Sequence, residues 1–547
     1  MKNKQKTLVL VVLFLALLPG LQSCYKDLGN YDYDTLPDIK ISEIQTYYGE
    51  KRLFEDTLVI NPVITYGEEG NESFTGEWFR VTNDTIFTSI TQTIDLTYPM
   101  NISGSNVLFF RATHKETGLM LTARSRVSVV SQMERGFYIL KETADGNTDV
   151  DGFTRNTTTK ELDEYPNLIT KNCGNPLEGA PVNIDYWNWL NRTETGSSVT
   201  VESVRAIRPM SEKELAIFDI KSFLYLGDLN SMLYDPLPTE NLKLEHLSSC
   251  TPITTLIYNG GKIQALKNKS AADGGMSRFA GEVVGDYELE PMVCGGFKGG
   301  DGGALVYDKT TKSIKALAAP TSSVLTTLPD VGHSLYPEYE AQVERKINNI
   351  DMNLKYCGKY DTGEKVPPMG MAEGYGVALF LFEKNNQPDS LFLYHVSIRP
   401  LAAGMYHNMV SLFEVDTLKN INTFKKADFY ATHLSKQYMY YAKDNKVYSY
   451  DYAQKDMPSA DLGFDYGGEE ITYMRHVKWT LEDVADYNFD CLVVGTYKDG
   501  RYKLYFHNLS GVTPMDGTKM ILEGEGKVKS FVYSSATSNI GAFSVFQ

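Results

Sequence analysis

A strand–turn–strand unit rich in aromatic and β-branched residues recurs seven times along the C-terminal three-quarters of the chain. The first contains Gly136–Leu140. The second joins Glu214–Asp219 to Phe223–Leu226, and the third runs from Leu256 through Gly260-Gly261 to Leu266. The fourth joins Met292–Phe297 to Ala304–Asp308 across a glycine-rich turn, and the fifth joins Val377–Phe382 to Leu391–Val396. Gln437–Ala442 with Lys446–Asp451, and Leu492–Tyr497 with Tyr502–His507, complete the set. The second strands of the last three units start near 390, 446 and 502, two equal steps of 56 residues. A single hairpin of this kind cannot bury both faces, so repeated copies must stack on their neighbours. The expected architecture over 133–547 is a β-propeller of about seven blades, with Lys529–Tyr533 completing a blade near the first. Two β-sandwiches in tandem are the alternative arrangement.

The chain has 547 residues, 42% hydrophobic and 22% charged. That balance excludes a disordered chain, a collagen-like repeat and a polytopic membrane protein. One core rarely extends past roughly 250–300 residues, so more than one domain is expected. The 69 acidic residues outnumber the 53 basic ones, for a formal charge of −16, and no basic run is concentrated enough to track a phosphate backbone. A nucleic-acid partner is therefore not expected.

Residues 1–23 read as an export signal. Lys2, Lys4 and Lys6 precede an apolar stretch from Thr7 to Leu18 that is too short to span a bilayer, and Pro19-Gly20 breaks it. Leu21-Gln22-Ser23-Cys24 then matches the lipobox of bacterial lipoproteins, in which cleavage leaves an acylated cysteine at the new N-terminus. Cys24 is the expected lipidation site, and residues 24–36 form a polar, tyrosine-rich tether. Two or three acyl chains hold a protein on a membrane where one would not.

Residues 37–132 read as a separate β-sandwich. Thr57–Ile60, Gly76–Val81, Asn106–Thr113 and Leu119–Val130 are strand-like and broken by glycine, asparagine and aspartate. Trp78 is the one candidate core tryptophan, and the absence of cysteine from this stretch excludes an antibody-type disulfide. The start Cys24-Tyr25-Lys26-Asp27-Leu28-Gly29-Asn30-Tyr31-Asp32-Tyr33 resembles the PKD-like family lipoproteins of Bacteroidota. So does the end of the sandwich, Thr117-Gly118-Leu119 to Val129, followed by Arg135–Glu142. The resemblance implies an Ig/PKD-like domain encoded beside outer-membrane glycan importers and their binding lipoproteins. It brings no catalytic residue with it. Glu77-Trp78-Phe79-Arg80 stands where typical PKD domains carry Trp-Asp-Phe-Gly-Asp-Gly, a departure from the archetype.

The candidate chemistry is sparse. Asp145, Asn147, Asp149 and Asp151 place four oxygen-bearing side chains two apart, as a calcium loop does. The twelfth position counted from Asn147 is Thr158 rather than a bidentate glutamate, so the pattern reads first as a solvated acidic turn and second as a structural Ca2+ site. The glycine-rich run 295–303 precedes a strand rather than a helix, which suits a blade loop and not a phosphate cradle. Ser211-Glu212-Lys213-Glu214 reads as a helix cap or a turn before a strand, and 338–347 as a short surface helix. The eight histidines show neither i, i+4 pairing nor an HExxH motif, and no GxSxG elbow is present. His395 and His507 fall at equivalent points of two units, which favours a structural role. The five cysteines after Cys24 are widely spaced and read as buried apolar groups. Tyr186, Trp187 and Trp189 form the densest aromatic point and are the candidate glycan-stacking residues, against the plainer reading of blade packing.

The sequence thus predicts an all-β lipoprotein with a lipid anchor, an Ig/PKD-like sandwich and a propeller head. It is expected at the outer membrane, on the cell surface or the periplasmic face. The expected function is non-catalytic binding of a glycan or association with an outer-membrane glycan-import complex. A propeller-type glycosidase or lyase, and a protein-docking scaffold, are the rival readings; fold alone does not separate them.

Overall fold

The computed structural model describes residues 39–535, except 83–84, 132, 157–158, 196–197, 234–236, 238–241, 252–253, 268–277, 296–303, 318–322, 329, 331–346, 362–375, 386–389, 399–409, 419–423, 455–456 and 481–484. Cys24, the signal, the tether and most of the expected helix at 338–347 and of the glycine-rich run lie outside the described residues. The chain is almost wholly β. It divides into two compact units, one holding the described residues to Gly49 with Thr57–Tyr98 and Asn106–Val127, the other holding Glu50–Asp56, Pro99–Ser105 and the chain from Ser128 onward.

In the N-terminal region a five-stranded sheet runs in the order Tyr47–Arg52, Met120–Val130, Gly104–His114, Phe74–Thr82, Ile86–Thr91. Two strand pairs accompany it, Ile39–Ser42 with Val63–Tyr66 and Thr57–Ile60 with Leu96–Pro99. Strand alternation decides the core. Leu108, Phe110 and Ala112 face inward and are fully buried, as does Val127, while Arg124 and Arg126 face out. Trp78 is fully buried against Phe110, ring centroids 4.7 Å apart, and its indole N–H donates to the Ile94 carbonyl at 2.8 Å. A buried indole needs that partner.

Among the described residues the second unit contains seven antiparallel sheets stepping from the inside out, six of four strands and one, the last, of five. Blade two runs Pro181–Thr195, Ser198–Ser211, Ala216–Asp219, Tyr225–Asp228, and blade three begins at Leu244–Thr251. Blades four to seven begin at Leu289–Gly295, Met352–Asp361, Phe429–Thr432 and Glu470–Trp479. Blade one is composite: its innermost strand is the C-terminal Lys527–Ser534, followed outward by Gly136–Glu142, Thr148–Arg155 and Leu162–Tyr165. The seven inner strands approach one another in sequence, and the inner strand of blade seven in turn approaches Lys527–Ser534, so the cycle closes. This is a seven-bladed propeller.

Local sequence explains the hairpins. Asp444-Asn445, Asp499-Gly500 and Gly260-Gly261 each supply two consecutive residues with positive φ between paired strands. Such two-residue turns match the right-handed twist of the strands they join. Ser211–Glu214 is likewise a turn between strands, in which the Ser211 hydroxyl accepts the Glu214 amide at 2.9 Å. Gly526, at φ 97, leads into the closing strand, where a Cβ would collide with the Glu142 carbonyl.

The core is divided into layers between adjacent blades. Blades four and five share one layer around Tyr307, Phe380 and Phe382, and blades five and six share another around Leu379, Phe424 and Tyr441. The layer between blades seven and one joins Phe489, Phe506 and Trp479 to Phe137, Phe531 and Tyr533. The tyrosine ladder of blade six serves these layers: Tyr440, Tyr441 and Tyr450 are fully buried or nearly so. Of the cysteines expected to be buried, Cys294 and Cys491 are buried and Cys357 is half-buried. Cys173 is exposed at the end of the short helix Leu168–Cys173, and all four are free thiols.

Closure leads to a prediction. Phe531→Ala removes a fully buried ring from the layer that joins the two ends of the ring. It is expected to lower unfolding stability by about 3–5 kcal/mol in urea titrations. A loss below about 1 kcal/mol would show that the C-terminal strand does not hold the ring closed.

Candidate functional site

All seven inner strands contribute to one central cavity of about 400 Å³, through segments 529–532, 182–186, 246–248, 291–295, 356–359, 430–434 and 473–476. A belt of hydrogen bonds stitches these segments together. Ser530 donates to the Asn183 side-chain oxygen at 2.8 Å, and Asn183 donates onward to the Leu247 carbonyl at 2.6 Å, linking blades one, two and three. The Cys294 thiol donates to the Gly358 carbonyl at 3.0 Å and Lys359 Nζ to the Gly295 carbonyl at 3.0 Å, linking four and five. Tyr356 Oη accepts from the Thr432 amide at 3.0 Å, and His476 Nδ1 accepts from the Leu434 amide at 3.0 Å, carrying the belt to six and seven. Inner-strand polar groups left unpaired beside a narrow cavity are costly, and the belt pairs several of them.

The cavity wall is electrostatically one-sided. Lys359, Arg475 and Lys529 line it, and the single carboxylate among the described lining residues is Asp185. That carboxylate is spent: the fully buried Arg208 guanidinium grips it in a fork, Nε to Oδ1 at 2.9 Å and Nη2 to Oδ2 at 2.6 Å. His246 is held neutral, its pKa brought down to about 4 by burial first and then by Arg475 and Lys529. Burial raises the pKa of Tyr473, and the neighbouring Arg475 guanidinium opposes that rise. Tyr356 is pushed up to about 12, by burial above all. The tyrosine hydroxyls therefore face the cavity protonated.

The residues singled out from sequence separate here. Tyr186 is buried and lines the cavity, its pKa pushed up to about 12 by burial. Trp187 and Trp189 lie on the same strand, paired with Ala206 and Val204, and their side chains lie outside the described residues.

The expected calcium ligands do not face a common ion. Asp145 is exposed on a turn, and Asn147 accepts the Gly179 amide at 3.1 Å. Asp149 is buried and takes the Ile169 amide at 3.0 Å and the Thr170 hydroxyl at 2.5 Å, capping the short helix. Asp151 is buried in an ion pair with Lys141 at 2.7 Å and accepts the Tyr502 hydroxyl at 2.9 Å. Protein donors occupy side-chain oxygens of Asn147, Asp149 and Asp151.

Among the described residues, one His/Cys/Asp/Glu cluster brings its ligand atoms within 4.8 Å of one another: His433, His476 and Asp490. The two imidazoles stack with centroids 4.1 Å apart. Every ring nitrogen has a hydrogen-bond partner. His433 Nδ1 accepts the Ser435 amide at 3.1 Å and Nε2 meets the Gly511 carbonyl at 3.0 Å; His476 Nε2 meets Asp490 at 2.9 Å. The carbonyl and carboxylate fix both tautomers as Nε2–H. The cluster is a latch between blades six and seven rather than an open ligand set. His395 and His507 are likewise structural, bonded to Asp416 at 3.0 Å and to the Tyr466 hydroxyl at 3.1 Å.

Residues 24–181 match the PKD-like family, a span that covers the tether, the sandwich and most of blade one but a minority of the chain. The comparison with curated proteins found no match. Among solved structures, a quinonprotein alcohol dehydrogenase-like protein from Bacteroides thetaiotaomicron VPI-5482 is 14% identical, with a TM-score of 0.46, covering 92% of this chain and all of the other (100%). The dihydro-heme d1 dehydrogenase NirN is 9% identical over 73% of this chain and 75% of its own, TM-score 0.35. An ACO/RPE65 chimera is 8% identical over 83% and 90%, TM-score 0.25. None of the three bears on what this chain does.

Sequence reasoning missed the cavity's cations. Lys359, Arg475 and Lys529 are far apart in the chain and belong to inner strands that precede or follow the aromatic hairpins. No local signal marked them, since the inner strands Leu244–Thr251, Leu289–Gly295 and Phe429–Thr432 carry no lysine or arginine.

The buried histidines set an acid limit. His246, His433 and His507 each sit near 4, against an ordinary 6.5, burial being the largest cause in each case. The unfolded chain binds more protons than the folded one between these values. Stability is whole above pH 6.5 and falls as the pH drops toward 4, by roughly 1–3 kcal/mol per histidine. Urea midpoints at pH 7.5 and 5.0 should differ accordingly, and a flat profile across that interval would contradict the burial of these rings.

Proposed function

We propose that this chain is an exported lipoprotein, held at the outer membrane through acylated Cys24, whose propeller binds a glycan in its central cavity without turning it over. The observation that carries the binding reading is the cavity itself. Seven strands converge on a site of about 400 Å³ lined by tyrosines, hydrogen-bonding groups and cations. Ligand sites of ~300–1,000 Å³ with a few convergent polar groups are the usual form for small-molecule recognition. The match of residues 24–181 to the PKD-like family and the lipobox-like Leu21-Gln22-Ser23-Cys24 support the anchored setting. An outer-membrane glycan importer is the proposed neighbour.

A two-carboxylate glycosidase mechanism needs an acid and a base or nucleophile some ~5–9.5 Å apart. Among the described lining residues Asp185 is the one carboxylate, and the Arg208 guanidinium donates to both of its oxygens. That favours binding over hydrolysis.

Calorimetry of the purified, detergent-held chain against a glycan panel is expected to show saturable binding with no release of reducing ends. Silence across the panel, or sugar release, would contradict it. For the anchor, mass spectrometry is expected to find a mature N-terminus at acylated Cys24, and Cys24→Ser to move the protein from the membrane to the soluble fraction. An intact Met1 with the Cys24 thiol unmodified would overturn that part.

A further inference from the structure

We infer that the central cavity selects an anionic sugar, a uronate whose carboxylate is held by Arg475 and Lys529. This deepens the binding reading above and rests on it.

Four observations converge. First, the cavity's charge opposes that of the chain. The protein carries −16, yet its described lining holds Lys359, Arg475 and Lys529 against one carboxylate, and that carboxylate is neutralised from behind by Arg208. Like charges gathered on one concave wall focus an attractive field on an anion. Without one, they repel each other.

Second, the cations are not equally free. Lys359 already donates to the Gly295 carbonyl. Arg475 on blade seven and Lys529 on blade one both act on the same ring, His246 of blade three, and together help keep it uncharged. Arg475 and Lys529 stand on the neighbouring inner strands of blades seven and one and line the same cavity as His246, which is a neutral hydrogen-bonding group there rather than a third positive charge.

Third, Tyr473 and Arg475 lie two residues apart on the inner strand of blade seven, so their side chains project on the same side of it, and both line the cavity. The Tyr473 hydroxyl lies against the Arg475 guanidinium, which helps hold that planar group in place.

Fourth, the residue types fit a carboxylate on a sugar ring. A guanidinium presents parallel N–H groups that match the two oxygens of a carboxylate, and an ammonium adds charge without geometric demand. Tyr473, Tyr430 and Tyr356 also line the cavity and add aromatic surface suited to a sugar ring. A sulfate ester shares the anionic chemistry, and the experiment separates the two.

The test uses the full lipoprotein in detergent. It is titrated with a panel of uronate oligosaccharides, with the same oligosaccharides after reduction of their carboxyl groups to alcohols, and with sulfated neutral oligosaccharides. A uronate is expected to bind at least tenfold more tightly than its carboxyl-reduced counterpart, and less tightly as salt rises. Arg475→Gln is expected to weaken it at least tenfold. Lys529→Gln, at an exposed position that leaves the fold intact, should weaken it severalfold and flatten the salt dependence. Equal affinity for the reduced sugars, with both variants unchanged, would overturn the anion inference and leave the glycan-binding reading standing. Binding of sulfated sugars in preference to uronates would overturn the carboxylate assignment. Silence toward every sugar would overturn both.

Discussion

The pairing of Lys527–Ser534 with Gly136–Glu142 is the contact on which the rest of the propeller depends. It brings the two ends of a ring of about 400 residues together, with Phe137 opposite Tyr533 and Ile139 opposite Phe531. Each blade has two faces to bury and only its neighbours to bury them against. An open row would leave the outer faces of blades one and seven in water, and closing the ring turns those faces into one more interior layer. The layer so formed holds Phe489, Phe506, Phe531 and Tyr533. Tyr502 and Asp151, which are 351 residues apart, share a buried hydrogen bond across the same joint.

Closure also creates the cavity. The inner strands cannot pack tightly against each other at the centre of seven radiating sheets, so their polar groups face a space that water or a ligand fills. The structure meets that constraint with the belt running through Asn183, Lys359, Tyr356 and His476. Arg475 and Tyr473, side by side on the inner strand of blade seven, line the cavity that the belt surrounds.

The hairpins were legible in the sequence for a local reason. Alternating aromatics joined by Asp-Gly, Gly-Gly or Asp-Asn encode strand and turn within about a dozen residues, and seven such units are present as seven blades. The closing role of Lys529–Tyr533 was also readable, because a lone strand at the end of such an array has one edge left to pair with. The cavity was not readable. Its cations come from blades one, five and seven, and only the ring brings them together. The acidic run after Asp145 misled for the opposite reason: spacing two apart put Asp149 and Asp151 on one face of a strand, but that face packs against Lys141, Tyr502 and the helix at Leu168–Cys173 rather than on an ion. Spacing reports a shared face and not what covers it.

Amide hydrogen exchange with and without a saturating uronate oligosaccharide tests the central claim most directly, since it reads every blade at once. The account predicts new protection confined to inner-strand peptides, strongest around 473–476 and 529–532, with the outer strands unchanged. Protection on the outer strands or in the N-terminal sandwich, with the inner strands indifferent, would place the ligand elsewhere and contradict it.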